Sequence, residues 1–176
     1  MEPCFRILGI TRTFLSHTSS RALYTRIQKT YTQSHPHPAD RVFPLLCPEE
    51  ETKWLDHWSY QMIFSESGGA EPHAIFTTPH HGEDDTVWYT VRHYPKERYV
   101  EFVRVTPGEM VAHIELRVVG QDDKSSQTLV SYTFTPLTDK GVERLQVEVL
   151  PQFEENMVGW EEAINYYLTT GNKLVS

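Results

Sequence analysis

The chain has 176 residues, 39% of them apolar, 12% aromatic and 23% charged, with a formal net charge of −8. A chain of that length forms one domain with its own core, and its two cysteines, Cys4 and Cys47, are too few for a disulfide scaffold and lack a Cys-x-x-Cys spacing. No apolar run reaches the roughly 20 residues that a membrane-spanning helix requires, and an acidic chain replaces phosphate counterions poorly, so an integral membrane segment and nucleic acid are both excluded.

The charge is unevenly placed. Residues 1–39 carry Arg6, Arg12, Arg21, Arg26 and Lys29 against Glu2 alone, and the acidity belongs to the remainder. The opening segment MEPCFRILGITRTFLSHTSS is basic and Ser/Thr-containing, as organellar presequences are, but Arg6 and Arg12 break its apolar stretch and spoil it as a secretory core. Residues 1–21 are expected to be a poorly ordered N-terminal arm, residues 22–172 the domain, and the location cytoplasmic.

Loose alternation with Tyr24, Ile27 and Tyr31 predicts a first strand between Ala22 and Ser34. His35-Pro36-His37-Pro38 punctuates the chain, with both histidines read as surface turn residues. Val42, Leu45 and Leu46 fit a short helix over 39–46. Pro48, followed by Glu49, Glu50 and Glu51, opens a second short helix to Leu55, with acids at the positive end of its dipole.

Six strands follow. Trp58–Ser65 places Trp58, Tyr60, Met62 and Phe64 on one face; His73–Thr78 is next, then a polar loop PHHGEDD, then Thr86–Tyr94. Arg98–Thr106 and Met110–Val119 form a hairpin across Pro107-Gly108, and Thr128–Leu137 carries Val130, Tyr132 and Phe134 on one face. The period then lengthens: Phe153, Met157, Trp160, Ile164 and Leu168 make one stripe of a long helix that starts near Thr138-Asp139 and stops at Gly171. Pro151 is expected to kink that helix or start a fresh one. A seven-stranded sheet and an aromatic helix stripe hide each other's apolar faces most simply if the sheet curls around the helix, which leaves a tapered cavity between them.

This order, with the stretches VFPLLCPEEETKWLDHW (42–58), MIFSESG (62–68), TVWYTVRHYP (86–95), FVRVTPG (102–108) and NMVGWEEAINYYLTTG (156–171), resembles the START/Bet v 1-like superfamily, also called SRPBCC, and locally its small bacterial members. The superfamily includes polyketide cyclase-like and Hsp90-activator-like branches. The resemblance covers residues 22–172. It implies an α+β helix-grip fold, a curved seven-stranded antiparallel sheet around a long C-terminal helix with two short helices after the first strand. It also implies a groove that holds a lipid, sterol, polyketide or other apolar molecule. Only some members are enzymes, since the superfamily shares a cavity and not a chemistry.

Aromatic side chains suit an apolar pocket with a few orienting groups. The ligand-binding candidates before the hairpin are Trp54, Trp58, Met62, Phe76, Tyr89 and Phe102, with Trp88 in the same aromatic set. Those after it are Ile114, Tyr132, Phe134, Phe153, Met157 and Trp160. Arg92, His93, Glu101 and Arg104 lie within the strands, and Arg92 and His93, being adjacent, point to opposite faces. An even-numbered turn at Pro107-Gly108 would put Glu101 on the face of Met110 and Ile114, and one bulge reverses that. An inward Arg104 favours a carboxylate-bearing ligand, whereas an inward His93 or Glu101 is a candidate general base. With Tyr132, these are the weak catalytic candidates.

The histidines give no metal-ligand spacing, and no nucleophile elbow or phosphate loop is present, so neither metal nor cofactor is assigned. Cys47, among Leu45, Leu46 and Pro48, reads as a buried structural thiol. The leading expectation is a protein that binds a small hydrophobic or amphipathic ligand, with a homodimer left open. The alternatives are a polyketide cyclase/dehydratase-like enzyme, moving a proton with a pocket His, Tyr or Arg, and an Hsp90-activator-like interaction module.

Overall fold

A computed structural model describes residues 23–80 and 83–175, so the expectation for residues 1–21 lies outside the described residues. The elements run β1 (Ile27–His35), α1 (Ala39–Val42) continued by a 3₁₀ turn (Phe43–Leu46), α2 (Pro48–Trp54) and β2 (Gln61–Phe64). Then come β3 (Ile75–His80), β4 (Glu83–Tyr94), β5 (Tyr99–Thr106), β6 (Met110–Gly120), β7 (Ser126–Pro136), α3 (Asp139–Arg144) and α4 (Leu150–Thr170). The strands form one antiparallel sheet in the order β1-β7-β6-β5-β4-β3-β2, so the first strand closes onto the last.

The period-2 pattern of β6 explains how the sheet makes a core. Met110, Ala112, Ile114, Leu116 and Val118 are all buried, while Val111, His113, Glu115 and Arg117 face the other way. Val130, Tyr132 and Phe134 continue that inner face on β7. Against it lies α4, whose Phe153, Met157, Ala163 and Ile164 are buried and whose Trp160, Tyr167 and Leu168 pack at the margins. Polar contacts also fix the helix to the sheet: Gln33 Nε2 donates to the Met157 carbonyl at 3.0 Å, His35 bridges Asn165 (2.8 Å) and Thr128 (2.9 Å), and Asn165 Nδ2 donates to the Ser34 carbonyl at 3.0 Å.

His35 is therefore not a surface turn residue. It ends β1 on the inner face and is 2% exposed. The segment PHHGEDD is not a seven-residue loop either: β3 runs to His80, β4 starts at Glu83, and these two pair, because the strands extend to the tip of the hairpin. A bulge at Ile63 turns Phe64 away from the Trp58, Tyr60 and Met62 face, leaving it 51% exposed.

The fresh start expected at Pro151 is met in part: α4 begins at Leu150 with the proline in its first turn, while the helical backbone runs on from α3. A five-residue π segment, Leu145–Val149, joins α3 to α4 and widens the turn just ahead of the proline, whose missing N–H and ring an ordinary α turn would not accept. Gly171 ends the helix, its N–H bonding the Tyr167 carbonyl at 2.8 Å. Among the described residues no helix is long and apolar enough to cross a membrane.

Candidate functional site

Two irregularities decide which side chains reach the inner face of β4 and β5. The β5–β6 turn holds three residues, Pro107 to Glu109, between the paired Thr106 and Met110, with Gly108 at φ 68°, a value glycine accepts without strain. An odd loop puts Phe102, Arg104 and Thr106 opposite Ile114, Ala112 and Met110, so Glu101 lies on the other face of the sheet from Met110 and Ile114. On β4, a bulge at Val91 shifts the phase. Thr86, Trp88 and Thr90 face inward, then His93 does, while Arg92 turns outward to Glu101.

Glu101 belongs to a network on the outer face. It accepts from His113 (2.7 Å), Tyr99 (3.1 Å) and Arg92. Burial opposes its charge, but the bonds from His113, Arg92 and Tyr99 outweigh that and hold the carboxyl below its ordinary range. A carboxylate so occupied, with the sheet between it and the groove, does not serve the groove as a base. Tyr89 also faces outward, its hydroxyl 2.5 Å from His73 Nδ1.

His93 is inside but apart. It stacks on Phe43 at 5.6 Å with its Nε2 3.6 Å from the Cys47 sulfur, and burial lowers its pKa. Burial pushes the Cys47 thiol up, which suits a structural thiol. His93 pairs with Val100 and Trp88 with Arg104, so four residues of β5, about 13 Å, separate the two sites.

The aromatic candidates divide into packed clusters. Phe76 stacks on Trp88 at 5.4 Å, and Phe102 stands edge-on to both. Tyr132, Phe134 and Phe153 form a second group on the β7 side, and Trp54 meets Trp160 edge-on at 5.9 Å. Ile114 and Met157 are buried in the same core, and Met62 packs against it from β2. These side chains fill the grip.

A cavity of about 380 Å³ lies open between the inner face of β3–β5 and the junction of α3 with α4. One wall is apolar: Trp58 stands edge-on to Trp88 at 6.3 Å, with Met110 and Val149 nearby. Each indole N–H is satisfied elsewhere, Trp58 by the Pro48 carbonyl (3.0 Å) and Trp88 by the Thr78 hydroxyl (3.0 Å), so both rings present carbon to the cavity. The rest is polar, with Thr78, Thr86 and Thr106 from the sheet and Glu148, Gln152 and Asn156 from the helix.

Arg104 lies in this cavity. Its Cζ is 5.3 Å from the Trp88 ring centroid and 5.9 Å from that of Tyr132, both within cation–π range. Burial pulls its pKa below the ordinary value, the Tyr132 hydroxyl works against that and the Arg144 charge adds to it. Tyr132, 5% exposed, is pushed up to about 12 by burial, with Arg104 opposing and Glu51 adding to the shift. At the mouth, Arg144 donates to Glu109 Oε1 (3.0 Å) and meets His80 Nε2 at 2.9 Å.

Of the candidate residues, then, the structure brings Trp58, Arg104 and, beside it, Tyr132 together. The polar half was not anticipated from sequence. Glu148, Gln152 and Asn156 recur every four residues alongside the aromatic stripe, a periodic signal that could have marked a wetted helix edge. Among the described residues no three His, Cys, Asp or Glu side chains converge as a metal site would need.

No family model matches the chain, and no curated protein sequence matches it. Solved structures do. Ara h 8.0201 superimposes with a TM-score of 0.65 at 16% identity, over 83% of this chain and 99% of its own. Zhui aromatase/cyclase from Streptomyces sp. R1128 gives 0.62 at 13% identity, over 85% and 100%. Norcoclaurine synthase from Thalictrum flavum, in complex with dopamine and hydroxybenzaldehyde, gives 0.62 at 10% identity, over 94% and 97%. At these identities the likeness concerns the fold, and with the strand order and gripped helix it establishes that this chain has the Bet v 1-like helix-grip fold.

Proposed function

We propose that this protein binds a small amphipathic molecule in the groove between the sheet and the C-terminal helix. The observation that carries this reading is the cavity of about 380 Å³, with indole carbon on one wall and hydroxyl, amide and guanidinium groups on the others. An apolar wall facing a few convergent polar groups is the usual composition of a small-molecule site. The polar share argues for an amphipathic ligand over a wholly apolar lipid. Norcoclaurine synthase, with the same fold, holds dopamine and hydroxybenzaldehyde, so the fold admits small aromatic molecules. Native mass spectrometry of gently purified protein, followed by a thermal-shift panel of aromatic and aliphatic acids, alcohols and amides, tests the reading. A co-purifying small molecule or a saturable shift is expected, and a silent panel with empty protein would refute it.

A second reading, a cyclase/dehydratase-like enzyme, draws on one observation: Arg104 lies beside Tyr132. A guanidinium polarising a carbonyl next to a phenol that stays protonated is a workable pair for proton transfer. In that case Tyr132→Phe retains ligand binding and loses turnover of a poly-ketone substrate.

A further inference from the structure

We propose that Arg104 anchors the carboxylate of a monoanionic organic acid whose apolar body lies along Trp58 and Trp88. The inference rests on the groove being a small-molecule site and adds which chemistry that site selects.

A guanidinium carries five N–H donors and is costly to bury without acceptors. Among the described residues Arg104 has no hydrogen bond and no carboxylate within ion-pair distance; its neighbours are the ring faces of Trp88 at 5.3 Å and Tyr132 at 5.9 Å. Aromatic faces attract the charge but accept none of the in-plane N–H bonds. Arg104 thus holds a fork of donors, pre-set by its flanking rings, with nothing of the protein's own described residues to receive it.

The other charges around the cavity are matched. Glu109 Oε1 takes Lys140 and Arg144, each at 3.0 Å, and Arg144 Nε lies 3.4 Å from Glu148. Among the described residues, Lys140 and Arg144 there face Glu109 and Glu148, with His80 also 3.5 Å from Glu109, and Arg104 is the cavity cation with no carboxylate against it. Charge balance therefore calls for one negative charge, a carboxylate, and not for a dianionic phosphate. A planar carboxylate also meets the guanidinium edge in two parallel hydrogen bonds. The wall beside it supplies the rest of the specificity: Trp58 and Trp88, with their N–H groups bonded elsewhere, accept an apolar body.

The test uses matched pairs, 2-naphthoate with 2-naphthamide and decanoate with decanol, titrated by tryptophan fluorescence and calorimetry, with inorganic phosphate as the dianion control. Wild-type protein is expected to bind at least one acid about tenfold or more tighter than its neutral partner, and to ignore phosphate. Arg104→Met, which keeps length and removes a half-buried charge, is expected to weaken acid binding about 30-fold or more and to leave the neutral partner unchanged. Arg104→Lys should restore part of the acid preference without its full strength. The aromatic and aliphatic arms tell which body fits. Equal binding of acid and neutral partner, or an acid preference that survives in Arg104→Met, overturns the anchor while leaving the groove a binding site. Failure of every acid and neutral probe to bind overturns both.

Discussion

Glu51 shows how one residue's setting departs from its sequence neighbourhood. Three consecutive acids after Pro48 read as an exposed first turn that favours the helix dipole, yet Glu51 shares the inner face of α2 with Pro48 and Trp54 and is 7% exposed. Burial, with the Glu49 charge adding to it, pushes its carboxyl up to about 8 from an ordinary 4.5. The folded chain thus keeps a proton that the unfolded chain releases between those two values, and stability falls as pH rises through that window. Glu51→Gln removes the cost. Urea midpoints of variant and wild type should nearly coincide at pH 4.5 and diverge up to pH 8 in the variant's favour, by a few kcal/mol at about 1.4 kcal/mol per pH unit. A gap that does not change with pH would mean that the carboxyl titrates normally. Arg104 makes the converse point about legibility. Its type could be read from sequence but its face could not, because Pro107-Gly108 looks like a two-residue turn and only Glu109, as a third loop residue, sets the parity.

At the scale of elements, the start of the C-terminal helical region is clasped to the β5–β6 turn. The Thr138 hydroxyl donates to the Gly108 carbonyl at 2.6 Å, and the Leu137 N–H donates to the Glu109 carbonyl at 2.7 Å. This clasp forms one rim of the cavity, and it requires a glycine: a Cβ at Gly141 would stand 1.9 Å from the Glu109 carbonyl oxygen, a backbone atom with nowhere to go. Gly141→Ala is expected to destabilise by about 2–4 kcal/mol, although alanine is the better helix former. Gly159, within α4 and with open space around its missing Cβ, provides the opposite case. Gly159→Ala should stabilise by roughly 0.5–1 kcal/mol. Thermal denaturation of both variants checks the pair, and equal signs would defeat the steric account. Elements of strong period were legible: the α4 stripe and the alternation of β6 survive nearly residue for residue. The π segment ahead of Pro151 was not, since its cause is the need to carry one helix past a proline under tertiary packing, which no local pattern announces.

Across the whole molecule, the buried polar groups that hold the grip together pull stability in opposite directions with pH. His35 locks β1 and β7 to α4 through Thr128 and Asn165, and burial lowers its pKa against the raising effects of the Asn165 bond and Glu161, with His37 adding to the lowering. Half-buried His93 is lowered as well, chiefly by burial. A histidine depressed in the folded state is protonated first in the unfolded chain, so its contribution stands above an ordinary pKa of 6.5 and is lost as pH falls. Glu51 has the contrary slope over an overlapping range. The wild-type protein should therefore show a shallow stability profile only below about pH 6.5, where the two slopes offset each other, and should decline from there toward pH 8, where Glu51 acts alone. Calorimetric melting of three proteins separates them. Glu51→Gln should expose the histidine slope, with stability climbing from pH 5 toward 7. His35→Gln should be less stable throughout, because Thr128 and Asn165 lose their shared partner, but its profile should tilt the other way and decline toward pH 8. If both variants keep the wild-type curvature, the pH response arises elsewhere, and the inner face of the grip is electrostatically inert.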